Sequence, residues 1–177
     1  MNHDGFQARL RAPFGTLGIL SDERHITGIS FLFGDVPALT PKRNTLAHLA
    51  CVQLSAYLDD PHYAFDLPIK LAGSMHQIQV WEAMCKIPAG STQTYGELAE
   101  AIGSSARAVG GACGSNPVPV VVPCHRIVAA NGLGGFMGGT GSDTLGIKRW
   151  LLAHEQRPFA LTPSALTLSA PSGLRRK

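Results

Sequence analysis

The chain has 177 residues, of which 45% are hydrophobic and 15% are charged, and its formal net charge is +3. This composition is typical of a folded protein and excludes a disordered one, and the length allows one compact domain or two small ones. Its longest apolar runs are far shorter than the ~20 residues of a membrane span. Since no basic and apolar leader opens the sequence, we expect neither export nor membrane association.

The N-terminal third predicts a small α+β unit. Short apolar runs alternate with turn residues and predict strands over residues 14–20 and 26–33. Apolar residues spaced by three and four then predict an amphipathic helix over residues 46–58. We place this unit, with its linker, at residues 1–73.

The following segment predicts several helices, over residues 75–84, 95–102, 106–113 and 147–155. Thr94 is a candidate N-cap, because Glu97 stands three residues later as in a capping box. Two short helices joined by a tight glycine turn form a helix-turn-helix candidate, although many such pairs only pack together. We therefore predict a unit at residues 74–157 and an irregular tail at 158–177.

The tetrapeptide Pro123-Cys124-His125-Arg126 is the strongest chemical signal, and it follows a strand-like apolar run at residues 118–122. A thiol attacks only as thiolate, and a free cysteine with a pKa of ~8.5 is a few per cent ionised at neutral pH. A neighbouring imidazole or positive charge can shift that balance. Taken alone, the pair is also compatible with a small buried cysteine that has no chemical role.

A glycine-rich loop follows at residues 131–141. It could be read as a phosphate cradle, but it lacks the lysine of a P-loop and does not connect a strand to a helix as a dinucleotide fingerprint does. We interpret it instead as a lid over a site.

Several motifs now stand in one order along the chain. They are QIQVW at 77–81, IPAG at 87–90, TYGELA at 94–99, ARAVGGA at 106–112, NPVP at 116–119, PCHR at 123–126 and KRWLLAHE at 148–155. This set closely resembles the O6-alkylguanine-DNA alkyltransferases, or methylated-DNA–protein-cysteine methyltransferases. The resemblance is dense over residues 74–156 and loose before them. It implies an α+β fold with a small RNase H-like N-terminal sheet domain. The C-terminal domain would be mostly helical and winged-helix-like, with a helix-turn-helix.

The resemblance also implies a reaction. The protein would bind the minor groove of double-stranded DNA, flip the damaged base out, and move the alkyl group of an O6-alkylguanine irreversibly to a cysteine. Each molecule would act once, and O4-alkylthymine is a further candidate substrate. We expect no cofactor and no obligate protein partner. Four scattered cysteines without a CxxC pair favour reduced thiols and a cytoplasmic location.

The resemblance assigns the chemistry to five residues. Cys124 matches the nucleophile, His125 the residue that takes its proton through a water, and Glu155 the carboxylate that orients that histidine. Tyr95 matches the tyrosine that donates to the departing base. Asn116 matches the hinge residue that ties the recognition helix to the active-site segment. Arg126 is expected to pair inside the C-terminal unit.

Arg107 matches the arginine finger that fills the gap left by the flipped base. The remaining DNA contacts are assigned to Thr94, Tyr95, Ala106, Ala108 and Gly110, and the substrate pocket to Tyr95, Pro119, Ile127, Phe136 and Met137. The loop at 136–144 runs about four residues longer than in many relatives, which puts the tolerance of bulky adducts in question. The zinc ligands of some animal members have no counterpart, so we expect no metal.

Two other functions fit parts of this pattern less well. A relative that binds lesions without transfer commonly has tryptophan in place of the cysteine, whereas Cys124 is present here. A Cys-His hydrolase needs an oxyanion hole, and its nucleophile and histidine are seldom adjacent. The sequence therefore favours a DNA-repair alkyl acceptor.

Overall fold

The structure is a computed structural model that describes residues 5–156. Its N-terminal part forms an antiparallel sheet of strand order β1-β2-β3 with one helix packed on it. The elements are β1 (Ala8–Ala12), β2 (Gly15–Ser21), β3 (Ile26–Leu32) and α1 (Leu46–Asp59). β2 and β3 confirm the predicted strands. The sequence did not predict β1, because it carries two arginines and no β-branched residue.

The C-terminal part is mostly helical. Its elements are α2 (Met75–Cys85), β4 (Gln93–Thr94), α3 (Tyr95–Ala101), α4 (Ala106–Gly114), β5 (Ile127–Val128) and α5 (Ser142–Glu155). The short strands β4 and β5 pair in parallel. A single 3₁₀ turn, Cys124–Arg126, leads into β5. The two-residue strands are too short to produce a period-2 pattern, so the sequence did not reveal them.

Capping determines where the helix-turn-helix pair begins. The Thr94 side chain accepts from the N–H of Glu97, whose carboxylate accepts from the N–H of Thr94, which confirms the predicted capping box. Ser105 caps α4. The indole N–H of Trp81 donates to the carbonyl of Ala112 at 2.8 Å and fixes α4 against α2. Helix α4 of the pair is therefore anchored on the buried Trp81 of α2, and its N-terminal turn is exposed.

Two sequence expectations are wrong. Helix α5 begins at Ser142 rather than at residue 147, because its first turn faces solvent and carries no apolar periodicity. The run at 118–122 is not a strand. It closes into a turn through a hydrogen bond from the N–H of Val122 to the carbonyl of Val118. The prolines within and around the run supply no N–H groups for a strand ladder.

One contiguous core joins the two parts of the molecule. It contains Leu17 and Ile19 of the sheet together with Trp81, Val118 and Leu151 of the C-terminal part. The mixed helix-and-sheet class is confirmed, whereas the RNase H-like and winged-helix likenesses and the division at residue 73 stay predictions. The predicted tail at 158–177 lies outside the described residues. No helix within residues 5–156 is long and apolar enough to cross a membrane.

Candidate active site

A tight turn presents Cys124. Asn116 spans this turn: its amide N–H donates to the carbonyl of Val122 at 2.8 Å, and its carbonyl oxygen accepts from the N–H of Val118 at 3.1 Å. Between them Val120 has φ 76, a left-handed conformation that β-branched residues rarely adopt. Such a backbone persists only where its surroundings hold it, so the buried Asn116 fixes the segment that carries the cysteine.

Cys124 lies in the wall of an open cavity of about 400 Å³. Helix α4 and the glycine-rich loop form the other walls. The lining residues are Tyr95, Ala106, Gly110, Cys113, Gly114, Cys124, Gly135, Phe136, Met137, Gly138, Gly139 and Thr140. The volume lies within the range of small-molecule sites, roughly 300–1,000 Å³. A group that enters beside α4 can therefore reach the thiol.

The next residue, His125, is fully buried and pairs with Glu155. Its Nε2 lies 2.8 Å from Glu155 Oε1. Burial lowers the pKa of His125, although the carboxylate of Glu155 opposes that shift, so the ring is neutral at pH 7. Beside an ionised carboxylate the proton resides on Nε2. Nδ1 is buried and has no hydrogen-bond partner among the described residues, so it can accept a proton.

Glu155 is held ionised by several donors. Burial alone would raise its pKa, but hydrogen bonds from His125 and Arg126 outweigh burial and hold that pKa well below 4.5. The guanidinium of Arg126 donates to Glu155 from Nη2 at 2.9 Å and from Nε at 3.0 Å. The N–H of Gly90 and the hydroxyl of Tyr57 also donate, at 3.2 and 3.0 Å. Arg126 thus makes the expected pairing inside the C-terminal part.

Burial raises the pKa of the Cys124 thiol to about 11, while the side chain of Asn116 and the charge of Lys148 oppose the rise. The adjacent imidazole therefore does not make Cys124 a thiolate in the free protein. The thiol stays protonated at neutral pH and needs a base when it reacts. The neutral Nδ1 of His125 is the candidate base in this cluster.

A buried lysine organises the loop beside the cavity. The ammonium of Lys148 donates to the carbonyls of Ile127, Leu133 and Gly135, at 2.6, 2.6 and 2.9 Å. It also lies 5.8 Å from the centre of the Tyr95 ring. Burial lowers the pKa of Lys148 to about 8, so it is largely charged at pH 7. One cation thus joins β5, the loop and the cavity wall.

Tyr95 also lines the cavity and contacts the glycine-rich loop. Its hydroxyl donates to the carbonyl of Gly135 at 3.1 Å, and burial raises its pKa to about 12. Gly134 has φ 69, and a Cβ there would lie 2.8 Å from the Tyr95 ring. Only glycine fits this approach, which explains one of the loop's glycines by packing rather than by phosphate binding.

Comparisons with known proteins show which family this chain belongs to. Residues 75–157 match the family model for the 6-O-methylguanine DNA methyltransferase DNA-binding domain. A methylated-DNA–protein-cysteine methyltransferase of Mycolicibacterium paratuberculosis is 47% identical, over 67% of this chain and 69% of the relative. One from Methanosarcina acetivorans is 36% identical over 85% of this chain and 97% of the relative.

Among solved structures, Mycobacterium tuberculosis OGT in complex with DNA superimposes with a TM-score of 0.68. It is 35% identical, and the match covers 84% of this chain and 91% of that chain. This protein belongs to the methylated-DNA–protein-cysteine methyltransferase family. The family predicted from the sequence motifs is therefore confirmed, and with it a DNA-binding repair class of protein.

The structure brings most of the residues expected from this methyltransferase family to one place. Cys124, Tyr95, Phe136, Met137, Ala106 and Gly110 line the cavity. His125, Glu155 and Asn116 lie buried in the segments that support it. Pro119 and Ile127 are also buried, but they do not line the cavity. Thr94 caps α3, while Arg107 and Ala108 are exposed on the first turn of α4.

The sequence did not predict two polar residues of this methyltransferase site, Lys148 and Tyr57. Lys148 stood in a motif as one more charge on an amphipathic helix, and no spacing rule marks a lysine as buried. Tyr57 is 98 residues away from the Glu155 carboxylate that it contacts. What identifies these two residues is full burial together with polar partners: three carbonyls around the lysine and a carboxylate beside the tyrosine. Both signals are visible only in the tertiary structure.

Proposed function

We propose that this protein repairs DNA by direct reversal: it transfers the alkyl group of an O6-alkylguanine in duplex DNA to Sγ of its own Cys124. The observation that carries this proposal is the position of Cys124 in the cavity wall, with the buried pair His125 and Glu155 beside it. Family membership supports the class of reaction.

The transfer is an in-line displacement at carbon. The bond from Sγ to the alkyl carbon forms while the bond from that carbon to O6 breaks. The guanine leaves with the electron pair while the hydroxyl of Tyr95 donates a hydrogen bond near its N3, and the departing anion then takes a proton from water. His125 Nδ1 receives the thiol proton through a water, and the ionised Glu155 stabilises the imidazolium that results.

Each molecule acts once and without a cofactor. The product is a thioether, and a relay that delivers one proton to His125 has no means of breaking a sulfur–carbon bond. The alkyl group needs no further activation, because guanine is already a competent leaving group. O4-alkylthymine is a second substrate, since it carries the same exocyclic oxygen–alkyl bond on a smaller base. We place this activity in the cytoplasm, where thiols remain reduced.

The burial of the thiol supports base flipping as part of the proposed reaction. Cys124 is 3% exposed, so an alkyl group inside a stacked duplex cannot reach it. An enzyme that acts on such an atom takes the base out of the stack. The exposed Arg107 on α4 would fill the gap from the minor-groove side, and its guanidinium makes no hydrogen bond or ion pair within residues 5–156.

The glycines of α4 favour close contact with an outside surface. A Cβ added at Gly111 meets nothing within 4 Å, and one added at Gly110 meets only the Tyr95 ring at 3.9 Å. Packing inside the protein therefore does not require glycine at either position. Each glycine weakens a helix by roughly 1 kcal/mol relative to alanine. A DNA backbone that approaches α4 closely accounts for them.

The test follows a radiolabelled methyl group. Duplex DNA with O6-[methyl-³H]methylguanine is incubated with the protein, which is then digested with trypsin. Residues 108–126 form one tryptic peptide that holds both Cys113 and Cys124. Tandem mass spectrometry must therefore locate the methyl group within it. We expect the methyl group on Cys124, at no more than one per protein molecule.

Two variants control this assay. Cys124→Ala should bind the duplex and accept no label, whereas Cys85→Ala removes an exposed thiol and should transfer at the wild-type rate. Label on Cys113, or more than one demethylated base per protein molecule, would show that the proposed reaction is wrong.

A further inference from the structure

Tyr57 connects the N-terminal part of the protein to the proton relay. It lies on α1 and is 1% exposed. Its hydroxyl donates to Glu155 Oε1 at 3.0 Å, and its backbone carbonyl lies 2.8 Å from His154 Nε2. The rings of Tyr57 and His154 also pack at 5.2 Å between centroids. Two successive residues of α5 are therefore held by one residue of α1.

The hydroxyl contacts the oxygen that matters for the relay. Glu155 Oε1 faces His125 Nε2 and also accepts from Arg126 Nη2 at 2.9 Å, whereas Oε2 accepts from Arg126 Nε and the N–H of Gly90. Burial, followed by the charge of Glu155, raises the pKa of Tyr57 well above its ordinary value, so it is always a donor. A neutral donor on an ionised carboxylate makes a charge-assisted hydrogen bond, which is stronger than one between two neutral groups.

The geometry points to Tyr57 as a positioning residue for alkyl transfer: its hydroxyl fixes Glu155 Oε1 against His125, so the N-terminal part completes the relay of the C-terminal part. This inference rests on the proposed function. Tyr57 touches neither the cavity nor the thiol, and it acts only through Glu155. A purely structural tyrosine would need its ring at this position, but not its hydroxyl.

The test removes the hydroxyl and keeps the ring. In full-length Tyr57→Phe, the single-turnover rate of transfer to Cys124 should fall about tenfold, the effect of losing one hydrogen bond to a charged group. The dissociation constant for duplex DNA should not change. The matched control is Tyr63→Phe, because Tyr63 packs on Phe65 in the same part of the chain and touches no relay residue.

A second measurement reads the relay directly. The His125 Nε2 proton, observed by NMR in the unreacted protein, should change its chemical shift in Tyr57→Phe and not in Tyr63→Phe. If Tyr57→Phe does not fold, site-specific 3-fluorotyrosine at position 57 retains ring and hydroxyl while strengthening the donor. It should move the same resonance in the direction opposite to that expected from loss of the hydroxyl.

The outcomes separate the two proposals. A wild-type protein that places no methyl group on Cys124 overturns the proposed function. A wild-type protein that transfers normally, with a Tyr57→Phe rate within twofold of it or an unmoved His125 resonance, overturns only the role of Tyr57. In the fluorotyrosine protein, an unmoved resonance has the same meaning.

Discussion

The relay around Glu155 and the outer face of α4 differ in how complete they are without DNA. In the relay, each oxygen of Glu155 already has donors from elements far apart in the chain, and the side chains of His125 and Glu155 are fully buried. On the outer face of α4, Arg107 is exposed and Gly111 has open space around it. The polar contacts of Glu155 are therefore complete in the free protein, whereas the outer face of α4 is open, as the proposed contact with DNA requires.

The largest effect is expected from Glu155→Gln, which removes the buried anion that the donors of the relay share. Removing one partner of a buried ion pair leaves His125 and Arg126 without their anion, which destabilises the protein by about 3 kcal/mol at pH 7. Transfer to Cys124 should slow by at least about a hundredfold, because the imidazolium loses its stabilising charge. Urea unfolding and single-turnover rates measure the two effects.

The stabilisation that Glu155 provides should be lost as the pH falls. The pKa of Glu155 is held below its ordinary 4.5 in the folded state, so its contribution is complete above that value. The contribution is lost as the pH falls toward the folded pKa. The stability difference between wild type and Glu155→Gln should therefore shrink below pH 4.5. The exposed control Glu100→Gln should differ little from wild type at pH 7, and an unchanged gap at low pH would contradict the assignment.

Lys148→Met should have a smaller effect. It tests whether the cavity depends on a buried residue that is not part of the relay. The substitution keeps much of the side-chain length and removes the donor to three carbonyls, each costly to bury without a partner. We expect about tenfold slower reaction with free O6-benzylguanine, which needs the cavity and no DNA. The control Lys86→Met alters an exposed lysine. Wild-type rates in Lys148→Met would show that the lysine does not shape the cavity.

The smallest effect is expected from Gly111→Ala on the outer face of α4. This variant should separate repair of duplex DNA from reaction with a free base. Alanine should stabilise the free protein by roughly 0.5–1 kcal/mol, because the added Cβ meets open space. Repair of duplex DNA should slow several-fold while reaction with free O6-benzylguanine is unchanged. Unfolding curves and the two rates test this.

Gly146→Ala is the matched control for that prediction. Gly146 lies inside α5, and a Cβ there also meets nothing within 4 Å. It should stabilise the protein to a similar extent without changing either rate. If both variants repair duplex DNA at the wild-type rate, close approach of DNA does not explain Gly111.

The sequence by itself determined the helix-turn-helix pair, its capping box, the family and the candidate nucleophile, because these depend on residues close together in the chain. Caps act over three residues, and PCHR is one continuous motif. The tertiary structure decided which distant side chains share a carboxylate or a cation. Tyr57 meets Glu155, and Lys148 meets the loop, only after the core has joined the two parts. It also decided that Cys124 is protonated, because burial raises the pKa of its thiol more than Asn116 and Lys148 lower it. No local sequence pattern reports that burial.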